Sequence, residues 1–169
     1  MTTLLIAVAV AGTTWAAEPT GEQEAASLLR NGRVPVDGVL TGGQPTPEQF
    51  GAIREAGYET ILNIRTEGET GNTSREAVEA MGFTYLELPI GGAPALNEAN
   101  VRAFADLLEE ARGPVVVHCG SGNRVGALFA LKAFWIDGQS AEESLALGSA
   151  AGMTRLEPVV REHLGLGDE

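Results

Sequence analysis

A single cysteine, Cys119, is followed five positions later by an arginine, with a glycine-rich stretch between them. The segment reads VVVHCGSGNRVGAL over residues 115–128, so Cys119 directly follows an apolar run and a histidine. Glycines let the chain curl until successive backbone N–H groups point inward, which creates a nest for an anion. At a helix N-terminus that field favours thiolate over thiol, and an arginine fork can hold two oxygens of a tetrahedral oxyanion. These residue types predict displacement at phosphorus or sulfur through a covalent intermediate on Cys119.

The predicted roles follow from the residue types. Cys119 is the nucleophile and Arg124 the oxyanion ligand, and both are predicted to be catalytic. His118 is expected to orient the loop or to bias the cysteine toward thiolate, rather than to act as the base. The predicted substrate-binding residues are those of the loop itself, namely Gly120, Ser121, Gly122, Asn123 and Val125.

One arginine outside the loop is a further candidate. Arg65 ends the branched run TILNI and could reach the same rim to bind a substrate anion. A surface ion pair with Glu67 or Glu69 accounts for it equally well. The sequence leaves these two alternatives open.

The charge of the chain limits its partners. Its 169 residues carry 11 basic and 23 acidic side chains, a net charge of −12. Such a field repels nucleic acid and anionic membrane surfaces, so neither is an expected partner. One cysteine and two histidines are too few for a cysteine-cluster metal site or a typical zinc centre, and no cofactor is expected. The oxyanion chemistry predicted for the loop makes a phosphorylated small molecule or phosphoprotein the expected partner.

The N-terminus is predicted to be a targeting segment. An apolar stretch over residues 4–11 is too short to span a bilayer, and small residues follow it up to Ala17. This pattern predicts a signal peptide at residues 1–17 and an exported protein, periplasmic or secreted. The region before the stretch has no lysine or arginine, so an unremoved apolar strand or helix is the alternative. Residues 18–35 are expected to form an N-terminal helix or linker, and residues 36–169 one domain.

Helix and strand signals alternate along that domain. Capping patterns stand at Thr46, Thr73, Asn97, Ser140 and Thr154, and short runs rich in branched and aromatic residues begin at positions 39, 60, 83 and 115. Alternation of this kind predicts an α/β fold with a central, mostly parallel sheet of four or five strands flanked by helices. The run at 115 is apolar throughout, as in a central strand, and residues 124–136 predict a buried helix. The loop at Cys119 would then lie between a central strand and a buried helix, where ligands of parallel sheets bind.

Two segments resemble a known family. VVVHCGSGNRVGAL is similar to the signature of cysteine-dependent phosphatases of the tyrosine and dual-specificity type. Upstream, LTGGQPTPEQFGAIREAGYETILNIR resembles the beginning of a bacterial branch, the beta-lactamase-hydrolase-like phosphatase-like domains. The resemblance covers about residues 36–150 and implies a phosphatase-like fold, with Cys119 as nucleophile and Arg124 as oxyanion ligand.

The chain departs from that family pattern in three places. Four residues separate Cys119 from Arg124, where most tyrosine phosphatases have five; four is also the rhodanese spacing. The position after the arginine, usually serine or threonine, is Val125. The segment LPIGGAPALNEAN has no aspartate where dual-specificity relatives carry the general acid, and the nearby carboxylates are Glu87 and Glu98.

Three functions therefore stay open on the sequence alone. A phosphatase acting through a phosphocysteine is the leading hypothesis, favoured by the His-Cys pair and the upstream segment. A sulfurtransferase acting through a persulfide on Cys119 is favoured by the loop length. A module that binds an oxyanion with weak or no turnover is favoured by the missing acid.

Overall fold

The computed structural model describes residues 21–69, 71 and 73–167. Within this part of the chain the strands are β1 (Arg33–Val36), β2 (Val39–Gly42), β3 (Thr60–Asn63), β4 (Thr84–Glu87) and β5 (Val115–His118). The helices are α1 (Gly21–Ser27), α2 (Pro47–Glu55), α3 (Arg75–Ala80), α4 (Glu98–Glu110), α5 (Asn123–Trp135), α6 (Ala141–Ala150) and α7 (Glu157–His163), and a 3-10 turn spans Ala93–Ala95.

The five strands form one sheet in the order β1-β2-β5-β3-β4. β1 pairs antiparallel with β2, and the pairings β2–β5, β5–β3 and β3–β4 are parallel. β5 is the central strand and all four of its residues are buried. The predicted α/β fold with a mostly parallel sheet is confirmed, and so is the predicted internal strand at 115–118.

The register brings the carboxyl ends of the parallel strands to one edge. His118 of β5 pairs with Gly42 of β2 on one side and with Asn63 of β3 on the other. Asn63 in turn pairs with Glu87 at the end of β4. The residues that follow these strands therefore meet at the same edge of the sheet, which is where a ligand site is expected.

Two hydrophobic clusters cover the two faces of the sheet. Val115 and Val117 of β5 point into the larger cluster, which contains the buried face of α4 and most of α5. Val116 points the other way, into a cluster with Phe50 and Ile53 of α2. Because successive side chains of a strand alternate between faces, the apolar run of β5 serves both clusters.

Most of the predicted helix starts are confirmed. Gln49 Oε1 accepts a hydrogen bond from Thr46 N at 2.8 Å, which completes the capping box before α2. Asn97 caps α4, and Ser140 caps α6 with a second capping box. These contacts satisfy N–H groups that the first helical turn leaves without partners.

Two predicted caps are wrong. Ser74, not Thr73, caps α3 and accepts from Ala77 N at 3.2 Å. Thr154 does not cap a helix with its side chain, because its hydroxyl donates to Asn123 Oδ1 at 3.1 Å. α7 begins only at Glu157, after a turn in which Glu157 N donates to the Thr154 carbonyl.

The N-terminal boundary falls partly outside the structure. The expected signal peptide at residues 1–17 lies outside the described residues. The sheet begins at Arg33, upstream of the domain start expected at residue 36. No helix of the described part of the chain is long and apolar enough to cross a membrane.

Candidate active site

Cys119 lies at the carboxyl edge of the sheet, directly after β5. Its N–H continues the sheet pairing by donating to the Gly42 carbonyl at 3.2 Å, and the residue is 1% exposed. Its Sγ accepts hydrogen bonds from Gly122 N at 3.1 Å and from Ser121 N at 3.5 Å. Two backbone N–H groups of the loop thus converge on the sulfur.

Gly122 makes this convergence possible. It is the N-cap of α5 and has a φ of 91°, in the left-handed region that glycine adopts without strain. A Cβ at this position would also lie 3.6 Å from Gly42 Cα, so the loop packs closely against the end of β2. The Gly122 carbonyl accepts from Gly126 N at 2.9 Å and starts the helix. Cys119 is consequently held at the N-terminus of a thirteen-residue helix, where the dipole favours an anion.

Arg124 stands in the first turn of α5 with three of its five N–H donors engaged. Nη1 donates to Glu69 Oε1 and to the Ile90 carbonyl, both at 2.7 Å, and Nη2 donates to Glu69 Oε2 at 2.7 Å. The remaining donors are Nε–H and one Nη2–H, which point the same way as a two-pronged fork. The nearest side-chain atom to the space above Gly120 is Arg124 Nη2, so this edge borders the loop. The hydrogen bonds to Glu69, together with the nearby Cys119, raise the pKa of Arg124.

Glu69 is the residue that sequence reasoning did not place in the site. The sequence indicates it only as an alternative surface partner of Arg65, yet its carboxylate bridges Arg65 and Arg124, with Arg65 Nε at 3.2 Å. Thr66 adds a backbone N–H at 2.9 Å and a hydroxyl at 3.1 Å, both to Glu69 Oε1. The hydrogen bond from Arg124 is the main cause that holds the pKa of Glu69 far below its usual range. Glu69 is therefore an anion at neutral pH and not a proton donor.

Arg65 is buried, unlike a surface ion-pair partner. Its side chain is 6% exposed, and Nη1 donates to Gln44 Oε1 at 2.8 Å in the turn after β2. Asn63 Oδ1 fixes its backbone by accepting from Arg65 N at 2.9 Å. Arg65 thus joins the ends of β2 and β3 and reaches the loop through Glu69.

The segment before β1 and the turn before α7 brace the loop from outside. Arg30 Nη2 donates to the Gly120 carbonyl, and Asn31 Nδ2 donates to the Ser121 carbonyl at 3.2 Å. Asn123 Oδ1 accepts from Thr154 N at 2.8 Å, so the Asn123 side chain is committed to that turn. Ordinary loop composition around residues 30 and 154 gives no local signal for these contacts, because the partners are far apart in sequence.

Two predicted site residues face the core. Val125 is fully buried among the apolar side chains of α5, so only its backbone can face an anion. His118 is 1% exposed, and its Nδ1 makes no hydrogen bond within the described part of the chain. Burial, and to a lesser degree the charge of Arg65, lowers the pKa of His118 to about 3. A neutral imidazole supplies no positive charge to bias Cys119 toward thiolate, which leaves orientation of the loop as its expected role.

The two carboxylates considered as possible acids are engaged elsewhere. Glu87 ends β4 and pairs with Arg75 at 2.9 Å. Glu98 lies in the first turn of α4, where the helix dipole favours a negative charge. No cluster of histidine, cysteine, aspartate and glutamate that could hold a metal occurs among the described residues.

The fold is that of a phosphatase-like α/β domain. The model of the family described as "DSP-PTPase phosphatase fused to NAD+ Kinase" matches residues 28–157, and the chain belongs to this family. The resemblance drawn from the two sequence segments is confirmed.

Two curated relatives carry the same name. The "Beta-lactamase hydrolase-like protein" of Agrobacterium fabrum is 38% identical over 94 residues, which cover 53% of this chain and 22% of that protein. Its namesake from Xylella fastidiosa is 34% identical over 116 residues, covering 65% of this chain and 26% of that protein. The chain thus spans about a quarter of the length of these curated relatives.

Solved structures share the fold. A Neisseria meningitidis protein superimposes with a TM-score of 0.66 at 23% identity, covering 78% of this chain and 94% of that one. TpbA of P. aeruginosa gives a TM-score of 0.60 at 18% identity, covering 79% and 81% of the two chains. At these identities the likeness establishes the phosphatase-like fold and nothing finer.

Proposed function

We propose that this protein is a cysteine-dependent phosphatase that hydrolyses phosphate monoesters through a phosphocysteine on Cys119. The observation that carries the proposal is the position of Sγ. The sulfur lies within hydrogen-bond reach of Ser121 N and Gly122 N and near Arg124, whose Nη2 borders the loop at Gly120. A phosphoryl group attacked by this sulfur would place its oxygens between loop amides and the arginine fork. Both kinds of donor are preorganised, so they stabilise charge in the transition state without rearrangement.

The reaction would proceed in two displacements. In the first, the Cys119 thiolate attacks phosphorus, a P–S bond forms, and the P–O bond to the leaving group breaks. In the second, water attacks the phosphocysteine, a P–O bond forms as the P–S bond breaks, and the thiolate leaves; inorganic phosphate is released and the proton of the attacking water passes to solvent. Arg124 would hold two equatorial oxygens in both steps, and the loop amides would stabilise the thiolate as nucleophile and as leaving group.

The substrate we infer is an aryl phosphate, as in phosphotyrosine. Glu69 is ionised and Glu87 is paired with Arg75, so neither of these carboxylates is available as a general acid. A missing acid lowers turnover by about 10²–10⁴-fold, and most for leaving groups that need a proton. A phenolate, whose conjugate acid has a pKa of about 10, leaves far more readily than an alkoxide. In support, a Cys-to-Ser variant of P. aeruginosa TpbA has been solved in complex with phosphotyrosine, with a TM-score of 0.53 to this chain.

A sulfurtransferase is the second candidate. The spacing of four residues between Cys119 and Arg124 favours it, because a tighter loop suits the single sulfur of a persulfide. A module that binds an oxyanion without turnover is the third, favoured by the lack of a placed acid. All three use Cys119 or Arg124, but they differ in product.

The test incubates purified protein with an aryl phosphate and, separately, with thiosulfate and cyanide. The proposal expects release of inorganic phosphate without thiocyanate, and faster turnover of phenyl than of alkyl phosphates. Cys119→Ser is the control: it should keep the fold and abolish release, because a serine hydroxyl stays protonated in this nest. Thiocyanate without phosphate would overturn the proposal in favour of a sulfurtransferase, and oxyanion binding with neither product would leave a binding module.

A further inference from the structure

A cavity adjoins the outer side of the loop at Ser121. It has a volume of about 300 Å³ and is lined by the polar residues Asn31, Arg33, Ser121, Ser149, Thr154 and Arg155, together with Gly152 and Met153. No carboxylate lines it, although acidic residues outnumber basic ones by 23 to 11 in the chain. We refer to it as the arginine cavity.

The two arginines of this cavity are available to an anion. Within the described part of the chain, ion pairs to carboxylates engage Arg65, Arg75, Arg124, Lys132 and Arg161. Arg33 and Arg155 form none, and neither do Arg30, Arg54, Arg102 and Arg112; Arg33 donates one bond, from Nη1 to the Gly32 carbonyl at 2.9 Å. Arg33 and Arg155 are distinguished by lining one cavity together, without a carboxylate among its lining residues, and this offers the cavity to a ligand of negative charge.

The walls that carry these arginines are tied to the loop. Arg155 stands between Thr154 and Leu156, whose N–H groups donate to Asn123 Oδ1 at 2.8 and 3.2 Å. Arg33 begins β1, two residues after Asn31, which donates to the Ser121 carbonyl. Ser121 belongs to both sites, because it lines the cavity while its N–H lies 3.5 Å from Cys119 Sγ.

We propose that the arginine cavity binds a second phosphate group of the substrate whose first phosphate reacts at Cys119. The substrate class is then a compound with two phosphate monoesters, one of them on an aryl or similarly good leaving group. This assignment rests on the proposed phosphatase function. Arg33 and Arg155 would hold the second phosphate by charge-assisted hydrogen bonds, with the hydroxyl of Ser149 as a further donor.

The binding experiment uses the Cys119→Ser protein, which cannot turn its ligand over. Calorimetry measures the affinity for a series of linear alkanediol bisphosphates of two to six carbons and for the matching monophosphates. One chain length should bind about tenfold or more tightly than its monophosphate, as expected for an added charge-assisted contact. Because the series varies the distance between the two phosphates, the outcome of the test does not depend on choosing one spacing in advance.

Two matched double variants distinguish a specific effect of the cavity arginines from the effect of removing two positive charges anywhere on the protein. Arg33→Gln with Arg155→Gln should reduce the preference for the bisphosphate to less than about threefold, since the amide has neither the charge nor the fork. Arg102→Gln with Arg112→Gln, which removes the same charge from two exposed arginines elsewhere, should keep it. A bisphosphate that binds no more tightly at any length, or a preference that survives the first pair of substitutions, would overturn the proposal.

The release of phosphate from an aryl phosphate by the wild-type protein distinguishes the two proposals. If phosphate is released and no bisphosphate preference exists, the cavity assignment fails and the phosphatase stands. If the preference exists and depends on Arg33 and Arg155 but no phosphate is released, the phosphatase fails and the cavity remains a phosphate site.

Discussion

The guanidinium of Arg124 shows how a single residue can be both held and available. Glu69 and the Ile90 carbonyl take three of its donors, all at 2.7 Å, and leave the Nε–Nη2 edge for the oxyanion that we propose it binds. A lysine ammonium, whose donors rotate, would not keep the pairing with Glu69 separate from the proposed binding of an oxyanion. The planar fork keeps them separate because its two edges point in fixed, different directions.

Arg124→Lys is expected to be far from conservative for this reason. A lysine ammonium cannot satisfy Glu69 and grip two oxyanion oxygens at once, so kcat/KM for an aryl phosphate should fall by about 10²–10³-fold. Vanadate should protect Cys119 of the wild type against iodoacetamide and fail to protect the variant. Inactivation rates measured with and without vanadate check this. Unprotected rates that are equal in both proteins would mean that the loop does not hold an oxyanion.

Glu69→Gln tests the residue that orients the fork. The amide keeps one acceptor and loses the bidentate, charged pair with Arg124, so the guanidinium should be less well aligned. We expect kcat/KM to drop by about tenfold and vanadate protection to weaken, in line with the loss of one charged hydrogen bond. Glu67→Gln is the matched control, because Glu67 is exposed in the same loop. Equal effects of the two substitutions would contradict a specific role for Glu69.

At the scale of elements, the site depends on how closely α5 and α6 approach. A Cβ added to Gly126 of α5 would lie 2.5 Å from the Gly148 carbonyl oxygen of α6 and closer still to Met153 N. A Cβ on Gly148 would meet Ala130 Cβ at 2.7 Å. The obstacles to Gly126 are backbone atoms, so no side-chain rotation can make room. The position of α5, whose first turn carries Arg124, is thus set by contact with the backbone of α6 and of the turn that follows it.

Gly126→Ala should therefore destabilise the fold and disturb the site together. Overpacking of this kind costs about 1–3 kcal/mol of the free energy of unfolding, and the first turn of α5 must shift to relieve it. Gly51→Ala is the control: Gly51 lies in α2 with nothing within 4 Å of its added Cβ. That change should stabilise by about 0.5–1 kcal/mol, the usual helical gain over glycine. Denaturant unfolding and turnover of both variants give the comparison.

The elements also show which features local sequence can predict. Caps at Thr46, Asn97 and Ser140 were predictable, because the partners of each bond lie three residues apart. β1 was missed, since Pro35 interrupts a short run, and prolines fit only the edge of a sheet. The cap predicted at Thr154 was wrong because its hydroxyl donates to Asn123, 31 residues away.

The grouping of the loop residues was predictable for the same reason, whereas the contacts that support the loop were not. Cys119, the glycines and Arg124 lie within six consecutive residues, so their meeting depends on one turn. The contact between Glu69 and Arg124 spans 55 residues and exists only because β3 and β5 are neighbours in the sheet. Strand order is not encoded in local spacing, and no residue pattern near position 69 indicates it.

At the scale of the whole molecule, a net charge of −12 coexists with a basic edge. Arg30, Arg65 and Arg124 converge on the loop and its turn, and Arg33 and Arg155 line the neighbouring cavity. Nearly half of the basic residues thus surround one edge of a predominantly acidic molecule. The overall field keeps polyanions away, while this edge favours small anions that can reach it.

The pH dependence of the free energy of unfolding should reveal the lowered pKa of the buried His118. The folded pKa of His118, about 3, lies below its unfolded value, so the unfolded state binds a proton first as the pH falls. This contribution to stability is complete above about pH 6.5 and is lost by up to about 1.4 kcal/mol per pH unit below it. Glu69 acts at lower pH: its depressed pKa adds stability that is lost only below its ordinary value of 4.5. The interval between pH 6.5 and 4.5 therefore isolates His118.

Urea unfolding at pH 7.5, 6.5 and 5.5 measures that interval. Wild-type protein should lose stability from pH 6.5 to 5.5, whereas His118→Asn should be less stable throughout but flatter across it, because no buried imidazole remains to exclude a proton. His163→Asn, which removes the exposed histidine of α7, reports what the other histidine contributes to the slope. A His118→Asn protein whose stability still falls as steeply as the wild type would show that the imidazole of His118 takes up a proton in the folded state, and that its burial does not keep it neutral.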